Sequence, residues 1–388
     1  AKLSYSLTAD RGPSSITNSR AVIKADNPWR PSASDKESSL YIAWLANNDL
    51  TYEKKHELNF GIDAGFLNNR INFTFDIYTR RNYDLIGATN TMGIGGEPTK
   101  YGNVAKMKSN GVELSLNTVN IKTKDFTWTT DFIYSHMHNE VTELNTYNRL
   151  YDYISGYGFT MPGYPQRSLF SIPFAGLNNE GLPTFYDPDG NITVTGIDMQ
   201  EYDPERLKFL KYEGPADPTD VGSLGNIFRY KNLTLNLFIT YSFGNVVRLD
   251  PVFSSEYSDL SATPKEFNNR WIKPGDEKFT NIPVIASRQQ LNNLAYLSRA
   301  YQSYNYGTAR VAKGDFIRMK EISLAYEFPK TLTQPLHLSN LSLKLQATNL
   351  FLLYADKKLN GQDPEFFNAG GVATPMPKQF TLTLKFGI

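Results

Sequence analysis

The sequence contains no cysteine, which excludes disulfide bonds and thiolate metal sites from this chain. It also lacks an excess of charge of either sign. Forty basic residues stand against 39 acidic ones, and the net charge of +1 gives no reason to expect nucleic acid or an acidic partner. Mean hydropathy is −0.42, too low for a helical membrane protein. No apolar run approaches the ~18 residues that a transmembrane helix needs.

Catalytic signatures are missing as well. The chain has no Gly-x-Ser-x-Gly elbow, no His-Glu-x-x-His pair and no phosphate-binding P-loop. His136 and His138 would share one face of a strand, but no third metal ligand lies near them in the sequence. The segment 187–191 has its glycine too early for an EF-hand, which favours a tight turn. We therefore expect no enzyme activity, no cofactor and no metal site.

What the chain does have is an alternation of apolar and polar residues. From Phe380 to Ile388 every second side chain is apolar, and the residues between them are polar or glycine. Side chains on a β-strand point alternately to opposite faces, so this pattern predicts a strand with one apolar and one polar face. The alternation recurs and predicts ten strands, at residues 2–9, 52–66, 71–85, 106–121, 126–140, 222–230, 233–248, 313–328, 341–354 and 378–388.

The connections between these strands alternate in length, as they do in outer-membrane barrels with short periplasmic turns and long extracellular loops. Several strands reach the ~9–11 residues that cross a bilayer at a tilt. The sequence thus predicts an all-β, antiparallel transmembrane β-barrel. Because no segment shows a 3.6-residue apolar period, we expect only short helical turns within the loops. The short connections are 67–70, 122–125 and 231–232, and the long ones are 9–51, 86–105, 141–221, 249–312 and 355–377.

Two other interpretations fit an antiparallel sheet with one solvent-exposed face. One is a soluble or surface-exposed β-sandwich that binds carbohydrate. The other, which the missing catalytic signatures disfavour, is a β-rich hydrolase.

Aromatic residues in the long loops are the candidate substrate contacts, because aromatic faces can stack on sugar rings and loops on a rigid scaffold often carry binding. The same residues could instead pack the loops together or against a lid protein. The candidates are Trp29, Tyr151, Tyr153, Tyr157, Phe159, Trp271, Tyr301, Tyr304 and Tyr306.

Several short segments, taken together and in order, resemble the SusC/RagA-type TonB-dependent transporters of Bacteroidota. The resemblance runs the length of the chain, although no single segment is specific. The family usually ends on phenylalanine, whereas Gly387 and Ile388 follow Phe386 here. The matching segments are 52–63, 66–71, 110–114, 174–177, 185–191, 228–233, 240–244, 347–351, 363–365 and 375–378.

The resemblance implies a larger assembly than ten strands. Members of this family have a 22-stranded barrel with an N-terminal plug and a segment that engages the TonB–ExbB–ExbD machinery. They work with a SusD-like surface lipoprotein and import glycans or, in some cases, peptides. We therefore expect residues 1–388 to be the C-terminal part of such a barrel, surrounded by outer-membrane lipid, with 141–221 and 249–312 as long extracellular loops. The plug and the TonB-engaging segment are expected outside this chain.

Overall fold

The computed structural model of the protein describes residues 1–12, 20–26, 39–93, 99–145, 148–156, 158–252, 265–365, 367 and 377–388. The strands are β1 (Lys2–Asp10), β2 (Val22–Asp26), β3 (Ser39–Trp44), β4 (Glu53–Phe66), β5 (Ile71–Asn90), β6 (Thr99–Lys122), β7 (Phe126–Leu144), β8 (Ser168–Ser171), β9 (Phe174–Leu177), β10 (Pro183–Tyr186), β11 (Ile192–Thr193), β12 (Lys211–Pro215), β13 (Asp220–Tyr230), β14 (Leu233–Phe243), β15 (Val246–Arg248), β16 (Val311–Lys313), β17 (Phe316–Glu327), β18 (Asn340–Ala355) and β19 (Gln379–Gly387). The helices are α1 (Leu150–Ile154), α2 (Pro204–Leu207), α3 (Arg288–Asn293), α4 (Leu297–Asn305) and α5 (Lys330–Thr333). Within the described ranges, no helix has the length and apolar character needed to span a membrane.

Ten strands form one sheet in the order β1-β4-β5-β6-β7-β13-β14-β17-β18-β19, which is the order in which they occur along the chain. Every neighbouring pair is antiparallel. The all-β, antiparallel prediction is confirmed, and each of the ten predicted strands corresponds to a strand of this sheet. A β-sandwich needs two sheets packed face to face, and these ten strands form a single sheet.

The two faces of the sheet differ in chemistry, as the alternation requires. One face is apolar and largely uncovered, with Leu3 74% exposed at one edge and Phe380 76% exposed at the other. The opposite face is polar: Arg80 Nε lies 2.8 Å from Glu57 Oε2, and Glu321 accepts hydrogen bonds from Asn236 (3.3 Å) and Gln346 (3.1 Å). We call these the apolar face and the polar face.

Aromatic side chains lie near the ends of the strands on the apolar face. Trp128 stacks on Phe228 with ring centroids 5.6 Å apart, and Tyr326 meets Phe328 edge-on at 5.1 Å. Towards the other end of the same face, Tyr241 stacks on Phe243 at 5.6 Å. This distribution matches the two aromatic girdles of a membrane-spanning barrel.

Tyr78 and Gly111 show how one polar-face pair is built. They are cross-strand partners, and the Tyr78 ring occupies the space that a Cβ on residue 111 would need. The ring is buried there, and the Arg80 guanidinium lies 3.9 Å from its centroid. Any side chain larger than glycine at 111 would displace Tyr78.

The structure corrects several predicted boundaries. Strand β5 continues to Asn90 and β6 already begins at Thr99, so much of the predicted loop 86–105 is strand. Strand β7 continues to Leu144. Conversely, 233–248 and 313–328 are each divided. The Gly244 N–H donates to Asp315 Oδ1 at 2.7 Å, which fixes a bend between β14 and β15. The short strands β15 and β16 then pair with each other, outside the main sheet.

The long connections also contain more regular structure than the sequence predicts. Strand β8 pairs with β12, and β10 pairs with both β9 and β11, all within the predicted long connection 141–221. Helix α4 spans nine residues, whereas only short helical turns were expected. Its buried apolar and aromatic residues Leu297, Ala300, Tyr301 and Tyr304 do follow a helical period. Two of these four residues are tyrosines. Because aromatic residues are frequent throughout the loops, the helical period is not apparent from the sequence.

Candidate functional site

The connections β7–β13 and β14–β17 pack together into one unit at the end of the sheet where the long connections lie. We define the loop body as the described residues of 148–218 and 245–315. Its main core joins Leu150, Phe170 and Phe185 of the first connection to Ile282 and Tyr304 of the second. The two longest connections are therefore a single packed unit and not separate loops.

Three of the predicted contact residues are buried in this unit. Trp271 is 8% exposed, Tyr301 2% and Tyr304 1%. The Tyr301 hydroxyl donates to the Val284 carbonyl at 2.5 Å, and Trp271 Nε1 donates to Glu277 Oε2 at 3.0 Å. Tyr304 meets Phe174 edge-on at 5.5 Å. In this structure these three side chains hold the loops together.

Four further candidates are only half-buried. Tyr151 meets Tyr306 edge-on with centroids 5.9 Å apart, and Tyr153 meets Phe159 at 5.0 Å. All four keep part of their surface open to solvent. The remaining candidates, Trp29 and Tyr157, lie outside the described residues.

A cavity of about 330 Å³ opens beside Tyr153. Its walls are almost entirely apolar or aromatic, with Lys208 contributing the one charged side chain. Lys208 is held by Glu205, whose Oε2 lies 2.5 Å from Nζ. Aromatic packing builds the wall: Tyr164 contacts Phe170 at 5.2 Å and Tyr212 at 4.8 Å between centroids. The volume is at the small end of ligand pockets.

Burial changes the acidity of two tyrosines of the loop body, Tyr304 and Tyr306. Loss of solvent around the hydroxyl raises the pKa of Tyr304 to about 12, because the charged phenolate is disfavoured away from water. Burial likewise raises the pKa of Tyr306 to about 12, and its hydroxyl contact with Tyr151 adds to the effect. A tyrosine is neutral at physiological pH even without such a shift. Of the two, only the half-buried Tyr306 offers part of its aromatic face to solvent.

The sequence pattern does not mark two buried arginines, Arg310 and Arg318, or the half-buried Arg248. Arg310 is 2% exposed and pairs with Glu266 Oε1 at 2.6 Å, while Arg318 lies between Asp363 and Glu365 at 2.5 and 3.2 Å. Arg248 donates to the Phe170 carbonyl, and burial lowers its pKa to about 10. No local pattern marks Arg310 as buried, because arginines in long polar loops are ordinarily solvated.

The other polar candidates have structural partners. Nδ1 of His136 lies 2.9 Å from Asp220 Oδ1. Asp187 Oδ1 accepts from the N–H groups of Asp189 (3.0 Å) and Asn191 (2.8 Å), which makes 187–191 a tight turn, as favoured from the sequence. Across the described residues, no group of three His, Cys, Asp or Glu side chains could hold a metal ion.

Comparison with known proteins identifies the fold. No family model matches the chain. The TonB-dependent receptor P39 of Formosa agariphila is 26% identical over 373 residues, covering 85% of this chain and 34% of that receptor. The TonB-dependent receptor SusC of Bacteroides thetaiotaomicron is 28% identical over 355 residues, covering 87% and 32%. The solved RagAB peptide transporter covers 99% of this chain and 40% of the matched one, with a TM-score of 0.73 and 24% identity.

These matches define the class of fold first: the ten-stranded sheet is similar to part of the antiparallel β-barrel of TonB-dependent transporters, which places the chain in the outer membrane. The predicted resemblance to the SusC/RagA-type transporters of Bacteroidota is confirmed. The proteins matched are named receptors and transporters, not enzymes. The chain spans about a third of the length of the curated relatives. In the barrel, the apolar face of the sheet meets lipid and the polar face meets the lumen.

Proposed function

We propose that the protein containing this chain imports a nutrient across the outer membrane with energy supplied through TonB. In this proposal the ten-stranded sheet is part of the barrel wall and the loop body stands at its extracellular mouth. The observation that carries the proposal is the single sheet in chain order, with a polar inner face and its two longest connections packed at one end. The relatives named TonB-dependent receptors support the energy source.

The proposal assigns each region of the polypeptide to a part of the transporter. Residues 1–388 supply the C-terminal barrel strands, and 141–221 and 249–312 supply extracellular loops. We assign the plug and the segment that engages TonB–ExbB–ExbD to the two thirds of the relatives' length that this chain does not match. A SusD-like surface lipoprotein is the proposed partner above the loop body.

A glycan or oligosaccharide is the favoured cargo, with a peptide as the alternative. Neutral aromatic faces with few charges suit a sugar ring, and Tyr151, Tyr153, Phe159 and Tyr306 provide such faces at the half-buried rim of the loop body. The peptide alternative has its own support, because RagAB is described as a peptide transporter. Trp271, Tyr301 and Tyr304 are proposed to act by holding this rim in place, since they are themselves buried.

Uptake in cells that carry the full-length protein tests the proposal. We expect labelled oligosaccharide to accumulate only when TonB is present, and Tyr153→Ala to reduce its binding several-fold. Tyr202→Ala is the matched control, because Tyr202 is a tyrosine of the same loop body that is 56% exposed and does not line the cavity. Uptake that continues without TonB would refute the energy source. Accumulation of peptides and not of oligosaccharides would replace the favoured cargo with the alternative.

A further inference from the structure

Four neighbouring strands carry ionisable side chains in one row across the lipid-facing side of the sheet. His56 of β4 pairs with Arg81 of β5, Arg81 with Lys108 of β6, and Lys108 with Glu140 of β7. Cross-strand partners point to the same face, and Ile77, four residues before Arg81, belongs to the apolar face. The row of His56, Arg81 and Lys108 is called the basic row below.

The height of the basic row can be worked out along β5. On this strand the lipid-facing positions run from Ile71 through Phe73, Phe75, Ile77 and Thr79 to Arg81. Ten residues extend about 33 Å along a strand. At the ~40° tilt of barrel strands this is about 25 Å across the membrane, which is the height of the apolar band. Arg81 therefore lies at the outer edge of the band, on the side of the long connections.

Arg81 differs from its neighbours in having no partner of its own. Lys108 Nζ lies 2.9 Å from Glu140 Oε2, Lys54 Nζ lies 2.8 Å from Asp84 Oδ2, and His56 Nδ1 lies 2.7 Å from the Tyr5 hydroxyl. The Arg81 side chain is exposed and makes no hydrogen bond or ion pair with any described residue. One uncompensated guanidinium is thus held at the level of the lipid headgroups.

We propose that the basic row, with Arg81 at its centre, binds the phosphate of an anionic lipid headgroup in the outer leaflet. A guanidinium is planar and can donate two parallel hydrogen bonds to a phosphate. The flanking side chains of His56 and Lys108 are each one strand spacing away, about 5 Å, so all three reach one headgroup. Tyr83, whose ring meets His56 edge-on at 5.5 Å, adds the type of aromatic residue that lies at membrane interfaces.

Native mass spectrometry of the full-length protein in neutral detergent tests the inference. The probes are lipid A bearing phosphate groups and the same lipid after enzymatic dephosphorylation. We expect the phosphorylated lipid to remain bound and the dephosphorylated one to be lost. Arg81→Gln should weaken retention by about fivefold, the effect expected of one arginine at an anionic lipid surface. Arg81→Lys, which keeps the charge, should retain most of the binding.

Arg80→Gln is the matched control. It removes the same charge one residue earlier, from the lumen-facing side where Arg80 pairs with Glu57, and should leave lipid retention unchanged. Equal retention of the two lipids by the unaltered protein would overturn the inference without recourse to any variant. Equal loss of lipid in Arg80→Gln and Arg81→Gln would do the same. Complete displacement by inorganic phosphate at millimolar concentration would show a plain anion site and also contradict a lipid headgroup as the occupant.

Discussion

Adjacent residues on a strand of this sheet point to opposite faces. The face to which a residue points determines the effect of a substitution there. In β14, Leu237 points to the lipid-facing side, where its cross-strand partners are Asn226 and Ile322. Asn236, one position earlier, points to the lumen and donates to Glu321 at 3.3 Å. A charge added at 236 would lie beside a carboxylate, whereas a charge added at 237 would face hydrocarbon.

We therefore predict unequal effects for the same substitution at the two positions. Leu237→Arg should destabilise the folded barrel by about 2–4 kcal/mol, because a cation near the middle of the apolar band is poorly solvated. Asn236→Arg should cost much less, since water and Glu321 are available to it. Urea unfolding of the full-length protein in liposomes measures both. Equal losses at 236 and 237 would count against a lipid-facing apolar side.

At the scale of the element, we consider the close packing of α4 against the rest of the loop body. The backbone N–H of Ile197 donates to Ser303 Oγ at 3.0 Å, and the chain crosses α4 closely at Gly196. Gly196 has φ +75°, and a Cβ added there would lie 2.7 Å from the backbone nitrogen of Ala300. Substitution must therefore move the backbone of α4 as well as strain residue 196.

Comparison with Gly163 separates the backbone strain at residue 196 from the clash with α4. It also has a positive φ, +84°, but a Cβ added there would meet nothing within 4 Å. Gly163→Ala should cost about 1–2 kcal/mol from backbone strain alone. Gly196→Ala should cost a further ~1–3 kcal/mol from the clash with α4. Limited proteolysis of the loop body in the full-length protein compares the two variants. Similar protease sensitivity would show that α4 does not depend on this close approach.

The elements also show how far the sequence could predict the structure. The ten sheet strands were recovered because period-two alternation is a local property that each strand carries by itself. The pairing of β8 with β12 joins residues such as Ser168 and Pro215, and no local pattern encodes a contact over that separation. The ends of β5 and β6 were missed because Gly87 and Gly102 lie in them, and glycines clustered between two strands ordinarily indicate a loop. The buried Arg310 was missed because burial of a loop depends on its tertiary partners.

For the candidate site, the sequence located the right segments but not the role of each residue. Seven of the nine loop aromatics fall on described residues, and all seven belong to the packed loop body. Which of them are buried, as Tyr301 and Tyr304 are, depends on the helical period of α4. Met161 and Leu210 also line the cavity beside Tyr153, and no sequence pattern marks these two residues as part of a site.

At the scale of the whole molecule, the sheet ends on β1 and β19, with no described strand paired to the outer edge of either. The relatives are about three times as long as the matched region, so a closed barrel in the full-length protein can draw its other strands from elsewhere in the polypeptide. The central claim is thus that this single sheet lies in a bilayer, with lipid on one side and an aqueous lumen on the other.

The absence of cysteine from this chain allows that claim to be tested directly. Cysteines introduced singly at 234–241 of β14 would be spin-labelled in the full-length protein, reconstituted in lipid. Collision with oxygen, which concentrates in hydrocarbon, would be compared with collision with a water-soluble nickel chelate. We predict a period of two, with oxygen favoured at 235, 237 and 239 and the chelate favoured at the positions between them. The same ratio at every position, or the opposite alternation, would contradict a membrane-spanning wall with this orientation.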